Sequence, residues 1–337
     1  MSVGVIGQGY VGGSLTTVFS ERGETVYVFD IAGKCAAGGI SEFADTARPA
    51  SVTAFVEACE GVTRFSGIFF VCVPTPMSED GAADVSIVES VLEGIADSPR
   101  WTEGADRIAV IKSTVPPGSV EEWNARFGKQ GLGVIFNPEF VTEANAISDM
   151  REQGRIVLGG PRSHVNRVRD VYHRSFPTVP VIETSASNAE MVKYLTNCML
   201  AVKVSFANEI AQICEALGEH GLNIDYDKVV EYAKFDRRLG ESHWSVPGPV
   251  PTHDGRYVRG FGGNCLPKDI NALIRVAYQC GVDAKVMKAA WEKTLEVRAP
   301  EDRDWEHQVG ARSASGRRSE SGLWPAESDG KRPSAPG

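Results

Sequence analysis

No apolar run in the 337 residues approaches the roughly 18 or more that a membrane-spanning helix needs. Basic charge is also in deficit: 35 Lys and Arg face 44 Asp and Glu, a net charge of −9. That balance argues against nonspecific nucleic-acid binding and against an anionic membrane surface. There is no CxxC pair among the seven cysteines, which are odd in number and scattered over positions 35, 59, 72, 198, 214, 265 and 280. Such usage predicts free thiols in a reducing, cytoplasmic compartment. The six histidines make no HxxxH pair and no cluster with cysteine, so no bound metal is expected. The N-terminus opens on "SVGVIGQGYVGG" without a basic segment or a cleavage site, and no secretion signal is expected. Internal repeats are absent as well.

What is present is an alternation. Short apolar runs read as buried strands: Val3 to Gly7, Thr25 to Asp30, Gly67 to Pro76, Arg107 to Thr114, Gly133 to Phe140 and Arg155 to Gly160. Stretches of helical period lie between several of them, beginning with one from Tyr10 to Arg22. The pattern predicts an α/β fold, a Rossmann-like, doubly wound, mostly parallel sheet, over residues 1–184. From Ser187 to Gly218 the chain has no interior proline or glycine and keeps one helical period, ending at Gly218 as a C-cap. At about 1.5 Å per residue this helix spans on the order of 45 Å, the length of a domain connector or a dimer core. Further helices are expected over Tyr226 to Lys234, Pro267 to Cys280 and Ala284 to Leu295. These make residues 185–305 a helical domain of dimerisation and catalysis. Residues 306–337, rich in Ser, Arg, Gly, Glu and Pro, are expected to be a disordered tail.

"GQGYVG" places Gly7, Gly9 and Gly12 after a strand and before a helix, and Asp30 closes the next strand. Glycines there permit a tight turn and bring a pyrophosphate close to backbone N–H groups at a helix N-terminus. A carboxylate at position 30 accepts hydrogen bonds from a ribose and repels a 2′-phosphate, which favours NAD over NADP.

"RGFGGNCLPKD" sets Cys265 behind a flexible loop and ahead of Pro267, a residue suited to the first helical position. A thiolate at a helix N-terminus is stabilised by the exposed N–H groups and the dipole, and Lys268 adds positive charge. The glycines give a substrate room to reach the sulfur. Cys265 is therefore expected to be an activated nucleophile. Asp269 is either a first-turn carboxylate that complements the dipole or a group that acts on water or a hydroxyl. Lys193 and Asn197, four residues apart, share one helix face; they are either a surface pair or two donors for an oxyanion. Thr114, Glu139 and Glu143 fall at the ends of strands, where open α/β sheets bind ligands. With Cys265 they are expected to frame one cleft.

Taken with "VPTP", "STVPPG", "NPEFVTEANAISD", "EMVKYLTNCMLAVKVSFANEIA", "DRRLG" and "GFGGNCLPKD", the chain resembles the UDP-glucose/GDP-mannose dehydrogenase family from Ser2 to about Arg298. The resemblance implies NAD-dependent, four-electron oxidation of a nucleotide sugar, UDP-glucose foremost, at C6 to the uronic acid. In that scheme Cys265 forms a thiohemiacetal and then a thioester, which water hydrolyses. Lys193 and Asn197 stabilise oxyanions. Asp269 and Thr114 position water, and Glu139 is the base with Glu143 in support. The cofactor is held by Gly7, Gly9, Tyr10, Val11, Gly12, Asp30, Lys34, Val73, Pro74, Thr75, Thr114 and Glu143. The sugar nucleotide is held by Glu139, Phe140, Lys193, Asn197, Arg259 and Gly262, and by Arg238 reaching a neighbouring subunit's substrate. The long helix forms the core of a homodimer.

Two departures from the family pattern stand out. The tail occupies the place of a third, nucleotide-holding domain, so the chain reads as a shortened member. The loop "GESHWSVPGPVPTHDGRYVRG" is longer than usual, and its His243, Trp244, Arg256 and Arg259 are expected either to take over nucleotide contacts or to form a plain surface loop. Alternatives remain a two-electron β-hydroxyacid-type dehydrogenase, which needs no thiol, and a non-catalytic homologue that binds NAD or a sugar nucleotide.

Overall fold

The apolar runs become strands because their residues alternate between two buried faces. The computed structural model describes residues 1–42, 48–98, 107–249, 252, 254–303 and 305; the tail read at 306–337 lies outside them. Elements follow in the order β1 (Ser2–Ile6), α1 (Tyr10–Glu21), β2 (Thr25–Phe29), β3 (Gly39–Ile40), α2 (Val52–Glu60), β4 (Phe65–Val71), α3 (Ser86–Ala96), β5 (Arg107–Ile111), α4 (Ser119–Phe127), β6 (Leu132–Phe136), α5 (Ala146–Arg151), β7 (Ile156–Gly159), α6 (Arg162–Ser175), β8 (Val181–Thr184), α7 (Ala186–Glu219), α8 (Tyr226–Ala233), α9 (Leu266–Gln279) and α10 (Lys285–Val297). The chain divides into two compact units. One is Met1–Thr75 with Asp84–Lys193, and the other is Pro76–Ala83 with the chain from Tyr194 on.

In the first unit eight strands form one sheet in the order β3-β2-β1-β4-β5-β6-β7-β8. Ile68 and Phe70, Ile108 and Val110 face one side, packing against Leu15, Val18 and Phe19 of α1 and Val165, Val168 and Tyr172 of α6. Their neighbours Phe69 and Val71, Ala109 and Ile111 face the other, against Phe55 and Val56 of α2, Val88 and Leu92 of α3 and Trp123 of α4. Side chains of period two buried on both faces are the signature of a doubly wound sheet. One junction departs from parallel: β6 and β7 pair antiparallel through Phe136 and Gly159. The order reverses beside β1, so the turns after β1 and β4 flank a switch point, where such sheets bind ligands.

In the second unit the body of α7 packs with α9 and α10 around Tyr194, Cys198, Ala201, Phe261, Ile270 and Ala290. The helix passes through Gly218, expected above to end it, and closes at Gly221 with φ of 87°. There Gly221 N–H reaches the Gly218 carbonyl at 2.9 Å and Leu222 N–H reaches Leu217 at 3.1 Å. Glycine is favoured where φ is positive, so the cap falls on the glycine that turns left-handed and not on the first one in the text.

Glu190, near the start of α7, is fully buried and takes the place of a missing cap. Helix α4 starts from Gly118, which has no side chain to offer; Glu190 accepts Gly118 N–H at 2.6 Å and Val120 N–H at 3.0 Å. Burial pushes its carboxyl up from 4.5 to about 7, against the pull of those two N–H groups. Between those pH values the native chain holds a proton that the unfolded chain releases. The associated stability is full below about pH 4.5 and is lost as pH rises through 7, by roughly 3 kcal/mol at most. A Glu190→Gln variant lacks this titration. Its melting temperature relative to wild type should rise by roughly 5 °C between about pH 5 and pH 8, read by scanning calorimetry.

Candidate functional site

In the first unit the residues singled out above gather at the carboxyl ends of the parallel strands. Gly7, with φ of 91°, turns the chain out of β1; a Cβ there would lie 2.7 Å from the Cys72 carbonyl. At Gly12 a Cβ would collide with the Gly7 carbonyl oxygen, so the loop can fold back on the first turn of α1 only through glycine. At Gly9 a Cβ would meet nothing within 4 Å. The N-terminus of α1 carries no side-chain cap and no acidic residue in its first turn. An open glycine face over an uncapped helix start, with Tyr10 and Val11 opening the helix, fits a dinucleotide pyrophosphate. Asp30 holds the turn as well as facing it: its carboxylate accepts N–H groups from Gln8 at 2.8 Å, Ala32 at 2.9 Å and Lys34 at 3.4 Å. The Lys34 side chain is exposed.

The second ligand-facing turn, Val73, Pro74 and Thr75, is tied to the end of β5 by Ser113, whose hydroxyl donates to the Val73 carbonyl at 2.6 Å. Thr114 follows, buried. At the end of β6, Glu139 is buried and each oxygen of its carboxylate accepts one hydrogen bond. Lys193 Nζ donates to Oε1 at 3.0 Å and to the Glu139 carbonyl at 2.7 Å, and Val141 N–H donates to Oε2 at 2.7 Å. Phe140 lies under the Arg155 guanidinium, 4.0 Å from the ring centroid, with Lys193 Nζ at 5.8 Å. Glu143 is exposed.

Behind this edge stands a residue that the sequence reading passed over. Lys112 is buried, donates to Asn137 Oδ1 at 2.9 Å, and is pushed below the usual lysine range by desolvation. Tyr172 donates to the same oxygen at 2.5 Å. The only signal in the text was a lysine closing an apolar strand, "RIAVIK".

In the second unit Cys265 is the N-cap residue of α9, half-buried, with its carbonyl accepting Asp269 N–H at 2.9 Å. The helix starts one residue earlier than read, at Leu266, so Pro267 takes the second position. Asp269 is completely buried and does more than complement a dipole: one oxygen pairs with Lys268 and the other accepts Asn197 Nδ2 at 2.5 Å. Lys193 and Asn197 are thus both buried and bonded, which removes the reading of a surface pair.

The glycine loop is held from two helices. Asn208 accepts Gly260 N–H at 3.3 Å, and Thr294 accepts Phe261 N–H at 3.4 Å. The room expected at Gly262 is taken: the guanidinium of buried Arg298 fills the side where a Cβ would project. The open position is Gly263, where a Cβ would meet nothing within 4 Å.

The arginines given to the substrate are occupied. Arg238 is clasped by Asp236 with its side chain 88% exposed, Arg259 pairs with Glu215, and Arg256 with Asp254 and Asp302. In the same loop Trp244 donates to the Gly240 carbonyl at 2.9 Å and lies under Lys203 Nζ at 4.5 Å. Among the described residues no group of three or more His, Cys, Asp or Glu could hold a metal, and no helix is long and apolar enough to cross a membrane.

The two glycines of the first turn should separate fold from cofactor. Gly9→Ala is expected to keep the melting temperature within about 2 °C while weakening NAD⁺ binding about tenfold or more by titration calorimetry. Gly12→Ala is expected to lower the melting temperature itself, by at least about 5 °C.

Residues 1–176 match the model of the NAD binding domain of the UDP-glucose/GDP-mannose dehydrogenase family, and residues 187–293 match that family's central domain. The chain is 31% identical over 312 residues to the UDP-glucose 6-dehydrogenase TuaD of Bacillus subtilis, covering 88% of this chain and 63% of that one. It is similar in structure to a UDP-glucose dehydrogenase from Pyrobaculum islandicum, with a TM-score of 0.67, 29% identity and coverage of 87% and 67%. The fold alone is shared with the 3-hydroxyisobutyrate dehydrogenase of Mycobacterium tuberculosis, at a TM-score of 0.63 and 18% identity over 91% of this chain and 97% of that one. The chain therefore spans somewhat under two thirds of the length of its TuaD relative. Matched over both of these regions, the chain belongs to the UDP-glucose/GDP-mannose dehydrogenase family.

Proposed function

We propose that the chain carries out NAD-dependent, four-electron oxidation of a nucleotide sugar, UDP-glucose foremost, at C6 to the uronic acid. The observation that carries this reading is Cys265 at the start of α9, one helical turn from buried Asp269, which is bonded to Asn197 and Lys268. A two-electron alcohol dehydrogenase has no use for a thiol there. Residues 1–184 hold the cofactor through Gly7, Gly9, Tyr10, Val11, Gly12, Asp30, Lys34, Val73, Pro74 and Thr75, and residues 185–305 carry the nucleophile. When bound, NAD⁺ accepts the hydride released at each of the two oxidations.

The chain's own groups supply the rest. Oxidation of the C6 alcohol releases one proton and leaves an aldehyde. The Cys265 thiolate adds to its carbon, forming the C–S bond, while the oxygen takes a proton to give the thiohemiacetal. Lys193 and Asn197 stabilise the charge that develops on that oxygen. Loss of the second hydride and of the hydroxyl proton leaves the thioester. A water held by Thr114 and Asp269 attacks its carbonyl with Glu139 as base and Glu143 in support; the C–S bond breaks, and the thiolate and the carboxylate are released.

Counting products tests the reading. Purified protein with NAD⁺ and limiting UDP-glucose should form two NADH per sugar. Cys265→Ser should lower the turnover to acid by roughly a thousandfold or more. One NADH per sugar, or full conversion by the serine variant, removes the thioester route; a panel of nucleotide sugars sets the substrate.

The same family scheme assigns α7 to a homodimer. Support comes from an exposed apolar stripe at helical spacing, Leu195, Met199, Phe206 and Ile213, each 47% to 66% exposed. Light scattering should give twice the chain mass, and Leu195→Glu with Met199→Glu should halve it. A wild-type monomer at tens of micromolar, an order-of-magnitude working range for such contacts, would rule the stripe out as a dimer core.

A further inference from the structure

The carboxylate of Asp269 poses an electrostatic difficulty for the sulfur it serves. It is completely buried, and its backbone N–H bonds to the Cys265 carbonyl, so the two residues are one helical turn apart. Residues so spaced have Cβ atoms about 5–6 Å apart. An unpaired negative charge one helical turn from a thiol, out of water, opposes its ionisation. The structure pairs it: the Lys268 ammonium sits on one Asp269 oxygen, and Asn197 donates an uncharged amide to the other.

The charged and titratable groups around this turn come from three elements. Lys268 and Asp269 lie on α9, Cys198 on α7, and Arg298 follows α10 with its guanidinium against Gly262. Cys198 reports how the pair acts on a thiol. Its Sγ lies 3.6 Å from the Asp269 carbonyl, and its pKa is pushed up to about 12, first by burial and then by Asp269, while Lys268 pulls it the other way.

We propose that Lys268 is a positioning residue that neutralises Asp269, and that this neutralisation is what lets the Cys265 sulfur carry negative charge near neutral pH. The inference rests on the reading of Cys265 as the reacting group of the dehydrogenase, and it adds a division of labour between buried Lys193 and half-buried Lys268. Lys193 pairs with Glu139, within the first unit, and acts on the substrate oxygen directly in the proposed reaction. Lys268 serves the thiol indirectly, through the carboxylate it clamps. The helix start provides the attraction, and the lysine removes the opposing charge.

The test reads the thiol without needing turnover. The full chain is treated with iodoacetamide from about pH 6 to pH 10, and alkylation of the Cys265 peptide is followed by mass spectrometry, which separates it from exposed Cys35 and Cys280. Lys268→Met should slow alkylation at pH 7 by about fivefold while leaving the rate at high pH unchanged, a shift of the inflection and not of access. Lys268→Arg, which restores the charge, should return the pH 7 rate to within about twofold of wild type. Asp269→Asn should move the inflection the other way and speed alkylation at pH 7. That variant decides the matter alone should Lys268→Met fail to fold.

An unshifted profile in a folded Lys268→Met variant overturns the proposal, as does slower alkylation in Asp269→Asn. NADH formation by wild type is measured in parallel. Shifted thiol profiles without NADH keep this inference and remove the dehydrogenase reading; NADH with unshifted profiles does the reverse.

Discussion

Every buried polar side chain on one face of α7 has to find a partner, and the site is arranged around that requirement. Glu190, Lys193, Asn197, Ser205 and Asn208 follow one another at helical spacing and are all buried. Glu190 takes the amides at the start of α4; Lys193 takes Glu139 at the end of β6. Asn197 reaches Asp269 in the first turn of α9, Ser205 donates to the Ala290 carbonyl of α10 at 2.6 Å, and Asn208 accepts Gly260 N–H in the glycine loop. Within the first unit the helix start fixes the strand ends. Within the second its body fixes the loop and helix start that present the cysteine. An unsatisfied group at any of these positions costs about 1–3 kcal/mol, more where it is charged, so each partner's position is strongly constrained.

The same helix explains why its orientation was hard to read. Its period was plain, and the text from Ser187 to Gly218 marked it to within a residue at each end. Yet the helix does not sort its residues by polarity. Glu190, Lys193, Asn197, Ser205 and Asn208 face in beside Tyr194, Cys198 and Ala201, while Leu195, Met199, Phe206 and Ile213 face out. Periodicity reveals that two faces exist; it does not say which is buried when the buried one carries the chemistry. For that reason Lys193 and Asn197 could be placed on one face but not assigned to the interior from spacing alone.

Elsewhere legibility followed how local the cause is. Gly7, Gly12 and the strands around them were readable because a glycine turn and an apolar run are set by their own residues. The run of β7 was readable too, but its antiparallel direction was not, because strand direction is decided by a partner that the run does not name. The brief β8, with Ile182 exposed, lacks an apolar signature altogether. Gly262 looked open in the text and is covered by Arg298, a residue 36 positions on that belongs to no motif. Lys112 and Lys268 were visible as letters, but the burial of the first and the ion pair of the second are tertiary facts.

The polar stripe is also not an efficient way to hold a helix in place. Removing two charges from water costs several kcal/mol per ion, and mutual attraction returns it only with good geometry; an apolar pair of similar volume commonly does as well or better. Lys193–Glu139 is a buried pair of this kind, and in Lys268–Asp269 the carboxylate is buried while the lysine keeps 14% of its side chain exposed. Stability alone would favour leucines at such positions. The chain instead places each pair where a proposed role in the chemistry needs a charge whose partner is already fixed: a base at a strand end, and a carboxylate one turn from a thiol. A water-exposed pair would cost less but would reorganise as charge moved on the substrate, whereas a dry, bonded pair holds its orientation through the reaction.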